Sequence, residues 1–184
     1  RRAAFLFNLA IGYREVGDFE AAIRAGTQGM ALYRAAGAIF ESARIENDLA
    51  LAYLATGQTD RARELAADAR RQIEETGDER WLAAVLDTEA QVALAGGDYD
   101  EALRLTSAAR ETAARGGNAY AELMSMITGA RALRQAGRAA EAEEQFGQAA
   151  RTARDSRVPN RLREVLREWG DLKAERGDHR GAYE

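Results

Sequence analysis

A few groups of residues in this 184-residue chain have types and spacings that could support chemistry. His179 is the single histidine and could serve as a general base or a metal ligand. Neither role can be completed, because the sequence has no second histidine and no cysteine to act as a partner. Glu141, Glu143 and Glu144 could form an acid/base pair or a metal site, but beside Arg138 they are typical of a charged, solvated helix face. We therefore expect no catalytic residue, no metal and no cofactor, and we predict that the chain is not an enzyme.

Two glycine pairs could belong to loops that bind phosphate. They are Gly96-Gly97 and Gly116-Gly117. A P-loop needs a preceding strand and a following Lys-Ser/Thr, and a dinucleotide fingerprint needs a βαβ unit. Neither context is present, so these glycines are predicted to end helices.

An arginine-rich stretch near the end of the chain could contact an anion or a nucleic acid. It contains Arg151, Arg154, Arg157, Arg161, Arg163 and Arg167. Asp155, Glu164 and Glu168 interleave with these arginines, and the net charge of the whole chain is −4. This pattern favours a solvated face over direct nucleic-acid binding.

Glycine also sets the spacing of the elements that must position any site. One series has a period of 40 residues and consists of Gly17, Gly57, Gly97, Gly137 and Gly177. A second series lies midway and consists of Gly37, Gly77 and Gly117, with Arg157 in the fourth place. Glycine after a helix adopts the left-handed conformation without steric cost, and the Asp or Asn that often follows is a strong N-cap. The spacing predicts helices of about 15–18 residues joined as αα-hairpins.

Small residues recur in register with the same period. The columns are Ala10, Ala50, Ala90, Ala130 and Gly170; Ala22, Ala62, Ala102, Ala142 and Ala182; and Gly29, Ala69, Ala109 and Ala149. A larger side chain at such a position would push the helix axes apart. The columns therefore indicate where helices cross most closely.

These columns resemble tetratricopeptide repeats, whose pattern has a small residue late in the first helix, a Gly-aromatic turn and two small residues in the second helix. The segment from Leu94 to Ala102 (LAGGDYDEA) is very similar to the centre of that pattern. The turn aromatic is present as Phe19 and Tyr99 but is replaced by Thr59, Ala139 and His179. The 40-residue period resembles most the repeat arm of bacterial ATPase-type transcriptional regulators.

The resemblance implies an all-α fold, a right-handed α-solenoid of stacked antiparallel helix hairpins. It implies a single domain over residues 1–184 with about five repeats, the last incomplete, at about 3–37, 38–77, 78–117, 118–157 and 158–184. We expect the chain to be a fragment of a larger protein, because no polar terminal cap is visible.

The resemblance also implies that the first helix of each repeat lines a concave groove for a partner. In the register of the family, the groove residues are Phe7, Ile11, Arg14, Arg44, Asn47, Leu51, Leu54, Asp87, Gln91, Leu94, Met124, Ile127, Arg131, Arg134 and Arg167. This mixture of apolar and arginine side chains predicts an extended peptide or protein partner that carries acidic groups, since arginine binds carboxylates in a bidentate manner.

The remaining predictions concern context. We expect a cytoplasmic, bacterial signalling or scaffolding module without a membrane segment, which could also contact other domains of its own chain or self-associate through its end faces. The alternative is a solenoid that senses a small-molecule effector and controls a neighbouring domain. A deep pocket lined by Phe7, Leu51 and Leu54 would favour the sensor, and a long open groove would favour the peptide.

Overall fold

The computed structural model describes residues 1–178, and that part of the chain forms nine α-helices. The helices, in chain order, are α1 (Arg2–Glu15), α2 (Phe19–Ala35), α3 (Ile39–Ala55), α4 (Thr59–Thr76), α5 (Glu79–Ala95), α6 (Tyr99–Gly116), α7 (Ala119–Gln135), α8 (Ala139–Asp155) and α9 (Pro159–Glu175). His179 and Ala182 lie outside the described residues, as does the predicted second helix of the last repeat. Within residues 1–178, no helix is both long and apolar enough to span a bilayer.

Each helix packs against the next one in the chain, so the helices form consecutive hairpins. The odd-numbered helices also contact each other, since α5 touches both α3 and α7 and α1 touches α3. We call α1, α3, α5, α7 and α9 the A helices and α2, α4, α6 and α8 the B helices. This is the predicted α-solenoid, in which a row of A helices forms one face of a stack of hairpins.

The turns between helices follow the glycine periodicity of the sequence. Gly97, for example, lies in the turn between α5 and α6 and has φ +79°. The next residue, Asp98, caps α6, because its Oδ1 atom accepts a hydrogen bond from the Glu101 amide at 3.1 Å. The same left-handed conformation recurs at the other predicted turn glycines within residues 1–178. Arg157, in the place where the second series lacks glycine, also has a positive φ of 54°. The turn geometry is therefore kept even where the side chain opposes it.

The columns of small residues lie where the helices approach most closely, as predicted. Ala50, Ala62 and Ala102 are completely buried. A Cβ atom added to Gly29 would lie 2.7 Å from Cδ1 of Ile45, a distance too short for real contacts. Helix crossing thus depends on the absence of bulk at these positions.

We predict that Ala102→Leu lowers the free energy of unfolding by about 1–3 kcal/mol, because the added atoms have no space at this crossing. The matched control is Ala31→Leu, at an exposed position within α2, where the effect should stay within about 0.5 kcal/mol. Urea denaturation of both variants measures the difference. Equal losses would mean that Ala102 does not lie at a tight crossing.

Candidate functional site

The A helices line a groove with a volume of about 750 Å³. Residues of all five A helices contribute to it, from Ile11 and Arg14 on α1 to Arg161 and Glu164 on α9. Its apolar surface comes from partly exposed side chains such as Leu51 and Met124. We refer to this surface as the groove.

The structure places many of the predicted site residues in the groove. They are Ile11, Arg14, Asn47, Leu51, Asp87, Gln91, Met124 and Arg131. They come from four successive A helices, α1, α3, α5 and α7. The resemblance to tetratricopeptide repeats implied this face of the A helices.

Other predicted residues lie in the core and do not line the groove. Phe7 and Ile127 are buried in apolar clusters, and Leu94 is buried beside Ala102 and Ala132. Leu54 is half-buried and packs against the cluster that contains Phe7. The physical reason is that an A helix contacts its own B helix and the A helices on both sides, so only a narrow stripe remains exposed.

Three predicted arginines also lie away from the groove. The guanidinium of Arg44 stacks over the rings of Trp81 and Phe7, with its Cζ atom 4.4 and 5.1 Å from their centroids. Arg134 forms an ion pair with Glu175, and Arg167 is exposed on α9. Arg44 therefore fills a space between A helices, where its flat cation stabilises aromatic packing.

The groove also includes residues beyond the predicted set given above. They are Asp48, Asp78, Arg80, Trp81, Ala84, Thr88, Asn118, Tyr120, Ala121, Arg161 and Glu164, of which Arg161 and Glu164 belong to the arginine-rich stretch. Asp78 and Asn118 are N-caps, and Nδ2 of Asn118 also donates to the carbonyl oxygen of Arg80 at 2.9 Å. The Gly-Asp and Gly-Asn pairs of the sequence carried this signal, because a cap that begins an A helix lies at the end of the groove.

Carboxylates of the chain itself already bind three arginines of the groove, namely Arg14, Arg131 and Arg161. Arg131 donates from Nε to Glu168 at 2.8 Å and from Nη2 to Glu168 and Glu164 at 2.6 and 2.5 Å. Arg14 pairs with Asp48, with Nη2 3.2 Å from Oδ1. These paired arginines do not offer empty sites for acidic groups of a ligand, and the expectation of such groups stays a prediction.

Two buried acceptors on the groove floor lack partners. Oδ1 of Asn47 and Oδ1 of Asp87 accept no hydrogen bond, although the two residues are only 6% and 4% exposed. The other carboxylate oxygen of Asp87 accepts from Nε2 of Gln91 at 2.9 Å. Burial raises the pKa of Asp87, although Gln91, the Thr128 hydroxyl and the charge of Arg131 act in the opposite direction.

The described residues contain no cluster of three or more His, Cys, Asp or Glu side chains that could hold a metal ion. The groove presents hydrogen-bonding groups, charges and apolar side chains, all of which can contact a ligand. Those contacts come from residues on rigid helices, which favours a groove that is formed before its ligand binds.

Comparison with known proteins gives a family match over part of the chain and gives the fold. The tetratricopeptide repeat model matches residues 41–113, which span most of α3 through α6. No protein of curated function matches the chain in sequence.

Solved structures with this fold include several repeat proteins. A Rap protein complexed with Competence and Sporulation Factor has a TM-score of 0.92 at 16% identity, over 99% of this chain and 51% of that one. The TPR-like repeats of a Podosopora anserina protein described as a kinesin light chain have a TM-score of 0.73 at 22% identity, over 99% and 90% of the two chains. A STAND protein with a tetratricopeptide repeat sensor from Pyrococcus horikoshii has a TM-score of 0.73 at 17% identity, over 94% and 27%. The chain thus spans about half of the Rap protein and about a quarter of the STAND protein.

Proposed function

Starting from tetratricopeptide repeats in a solenoid fold, we propose that this chain is a non-catalytic module that binds an extended peptide or a protein segment in the groove. It acts as the regulatory or scaffolding arm of a bacterial signalling protein in the cytoplasm. The observation that carries the proposal is the groove itself, which crosses all five A helices and presents apolar side chains beside polar ones.

The dimensions of the groove fit an extended chain. Packed helices lie about 8–10 Å apart, so a groove across five A helices extends for about 35 Å. An extended peptide advances about 3.3 Å per residue, so roughly ten residues would fill this length. Ile11, Leu51 and Met124 would contact its apolar side chains, and the polar groups of the floor would fix its orientation.

Two structural neighbours support a role in signalling. The Rap structure is a complex with Competence and Sporulation Factor, and the STAND protein has its tetratricopeptide repeats as a sensor. Both likenesses concern the fold, and the extension of such roles to this chain is part of the proposal.

The alternative is a solenoid that senses a small effector. Its support is the groove volume of about 750 Å³, which lies within the range of small-molecule sites. Phe7 and Leu54, however, do not line the groove, whereas the sensor hypothesis placed them in its pocket. The extent of the groove across α1 to α9 favours the peptide.

Selection of peptides displayed on phage tests the proposal. We expect enriched peptides to bind the wild-type chain and to lose roughly tenfold or more in affinity for the double variant Leu51→Gln/Met124→Gln, because two apolar contacts are removed. The matched control is Leu32→Gln/Val16→Gln, which replaces two exposed apolar side chains outside the groove. Fluorescence polarisation measures the affinities. The proposal is wrong if no peptide is enriched, or if both double variants bind like wild type.

A further inference from the structure

We propose that the groove recognises a cationic side chain of its peptide, an arginine guanidinium or a lysine ammonium, at a subsite formed by Asp87 and Asn47. The inference rests on the proposed function and specifies the chemistry of its ligand. It reverses the charge that the arginines of the sequence had led us to expect.

The subsite consists of two hydrogen-bond acceptors without donors. Oδ1 of Asn47 and Oδ1 of Asp87 are buried, both residues line the groove, and neither atom has a partner. The residues occupy equivalent positions on α3 and α5, one repeat apart, and these two A helices are in contact. Native proteins rarely bury unpaired acceptors, so a pair of them at the floor of a groove indicates a missing donor.

No other charged group of the groove donates to either oxygen, although Nε of Arg14 is itself buried without an acceptor. Arg14 pairs with Asp48, and Arg131 and Arg161 pair with Glu164. The Asp78 side chain caps α5 by accepting from the Trp81 amide at 3.1 Å. Arg80 is exposed. Asp87 is thus the lining carboxylate that keeps a buried oxygen without a hydrogen bond.

A ligand cation has the donors that this subsite lacks. A guanidinium carries five N–H groups and an ammonium three, so either group has donors for the unpaired oxygens of this subsite. Hydrogen bonds between ionised groups are the strong ones, and exclusion of water strengthens them further. A carboxylate of a ligand would instead lie beside another carboxylate and leave both acceptors unpaired.

Burial raises the pKa of Asp87 in the free protein, which is consistent with a site completed by a cation. Besides Gln91, the groups that face its carboxylate are the hydroxyls of Thr128 and Ser125 on α7 and the charge of Arg131. The Thr128 hydroxyl is near enough to lower the pKa of this carboxylate, although it forms no hydrogen bond of normal geometry. An asparagine at position 87 would carry no charge, and its amide nitrogen could donate to that hydroxyl oxygen.

The first test uses peptides enriched on the wild-type chain in the selection described above. We expect them to share a lysine or arginine, and we expect replacement of that residue by glutamine to weaken binding roughly thirtyfold or more. Asp87→Asn should cause a similar loss, and the peptide replacement should then cause little further loss in this variant. Asp100→Asn, an exposed change on α6, is the control and should bind like wild type.

The second test separates recognition from a structural role. If burial destabilises ionised Asp87, Asp87→Asn should unfold at a higher temperature than wild type at neutral pH. The raised pKa means that the folded wild-type protein regains stability as the pH falls through that pKa, so the advantage of the variant should disappear below about pH 4. A lower unfolding temperature for the variant at neutral pH would make the carboxylate a structural group and overturn the inference.

The outcomes distinguish this inference from the proposed function. Peptides that bind in the groove without a basic residue, or that bind Asp87→Asn as tightly as wild type, overturn the cation subsite and leave the peptide groove standing. An absence of enriched peptides overturns both.

Discussion

Phe146→Ala should lower the free energy of unfolding by about 3–5 kcal/mol, the usual effect of removing a fully enclosed aromatic ring. Phe146 lies on α8 and is completely buried among side chains of α7, α8 and α9, including Leu123, Ile127 and Val165. The ring therefore joins α7 and α8, the last complete hairpin of the described residues, to α9. Its loss leaves a cavity that rigid helices cannot close.

Denaturation with urea, followed by circular dichroism, measures this loss. Phe5→Ala is the matched control, because Phe5 is 66% exposed and its removal should change stability by no more than about 0.5 kcal/mol. Since each repeat contacts only its neighbours, amide hydrogen exchange should accelerate more in α7–α9 than in α1–α3. A similar loss in the two variants, or uniform acceleration, would contradict the assignment of Phe146 to the core between these helices.

Glu46→Ala should cost about 3 kcal/mol, because it leaves the buried Ser42 hydroxyl and the partly buried donors of Arg34 and Gln72 without their acceptor. Glu46 is completely buried on α3. It accepts hydrogen bonds from Arg34 Nε on α2 at 3.0 Å, from Ser42 Oγ at 2.9 Å and from Gln72 Nε2 on α4 at 2.6 Å. One carboxylate thus ties together helices of two repeats. Arg34 is half exposed, so water can solvate its charge in the variant. The expected loss is therefore at the low end of the range for removing one partner of a buried ion pair.

Two comparisons isolate the cause. Glu46→Gln removes the charge but keeps an acceptor, and we expect a loss of about 1 kcal/mol. Glu64→Ala removes an exposed carboxylate that pairs with Arg61 at 2.6 Å, and the expected loss is about 0–1 kcal/mol. Thermal and urea unfolding of the three variants give the order. If Glu46→Ala were no more destabilising than Glu64→Ala, the buried network would contribute nothing to stability.

The helices and their turns could be predicted from sequence because the relevant forces are local. Gly97 and Asp98 act through the backbone conformation of one residue and a hydrogen bond three residues away, and both effects depend on residue type alone. The buried position of Ala102 was also predictable, since a column of small residues has one plausible cause in stacked helices. The position of the turn at Arg157 was predictable from the glycine period, although an arginine disfavours the positive φ that it has there.

The groove was predictable only in part because it depends on contacts between distant residues. A helical period indicates which side of α7 faces the groove, but it does not show that Ile127 is covered by neighbouring helices. The sequence likewise contains Arg131 without revealing that Glu168, 37 residues later, neutralises it. One oxygen of Asp87 has no hydrogen-bond donor, and this can be recognised only once the surrounding helices are in place.

The turn glycines also determine how this array can change in length. Gly57 and Gly97 have φ values of +76° and +79°, so a segment of one period removed or duplicated between such glycines leaves an unchanged backbone conformation at the junction. A gene that gains or loses one such segment would keep its remaining turns and lengthen or shorten the groove by one A helix, about 8–10 Å. The length of extended peptide that the groove contacts would then change by about three residues for each repeat. In evolution or in design, the length of the groove therefore changes by whole repeats.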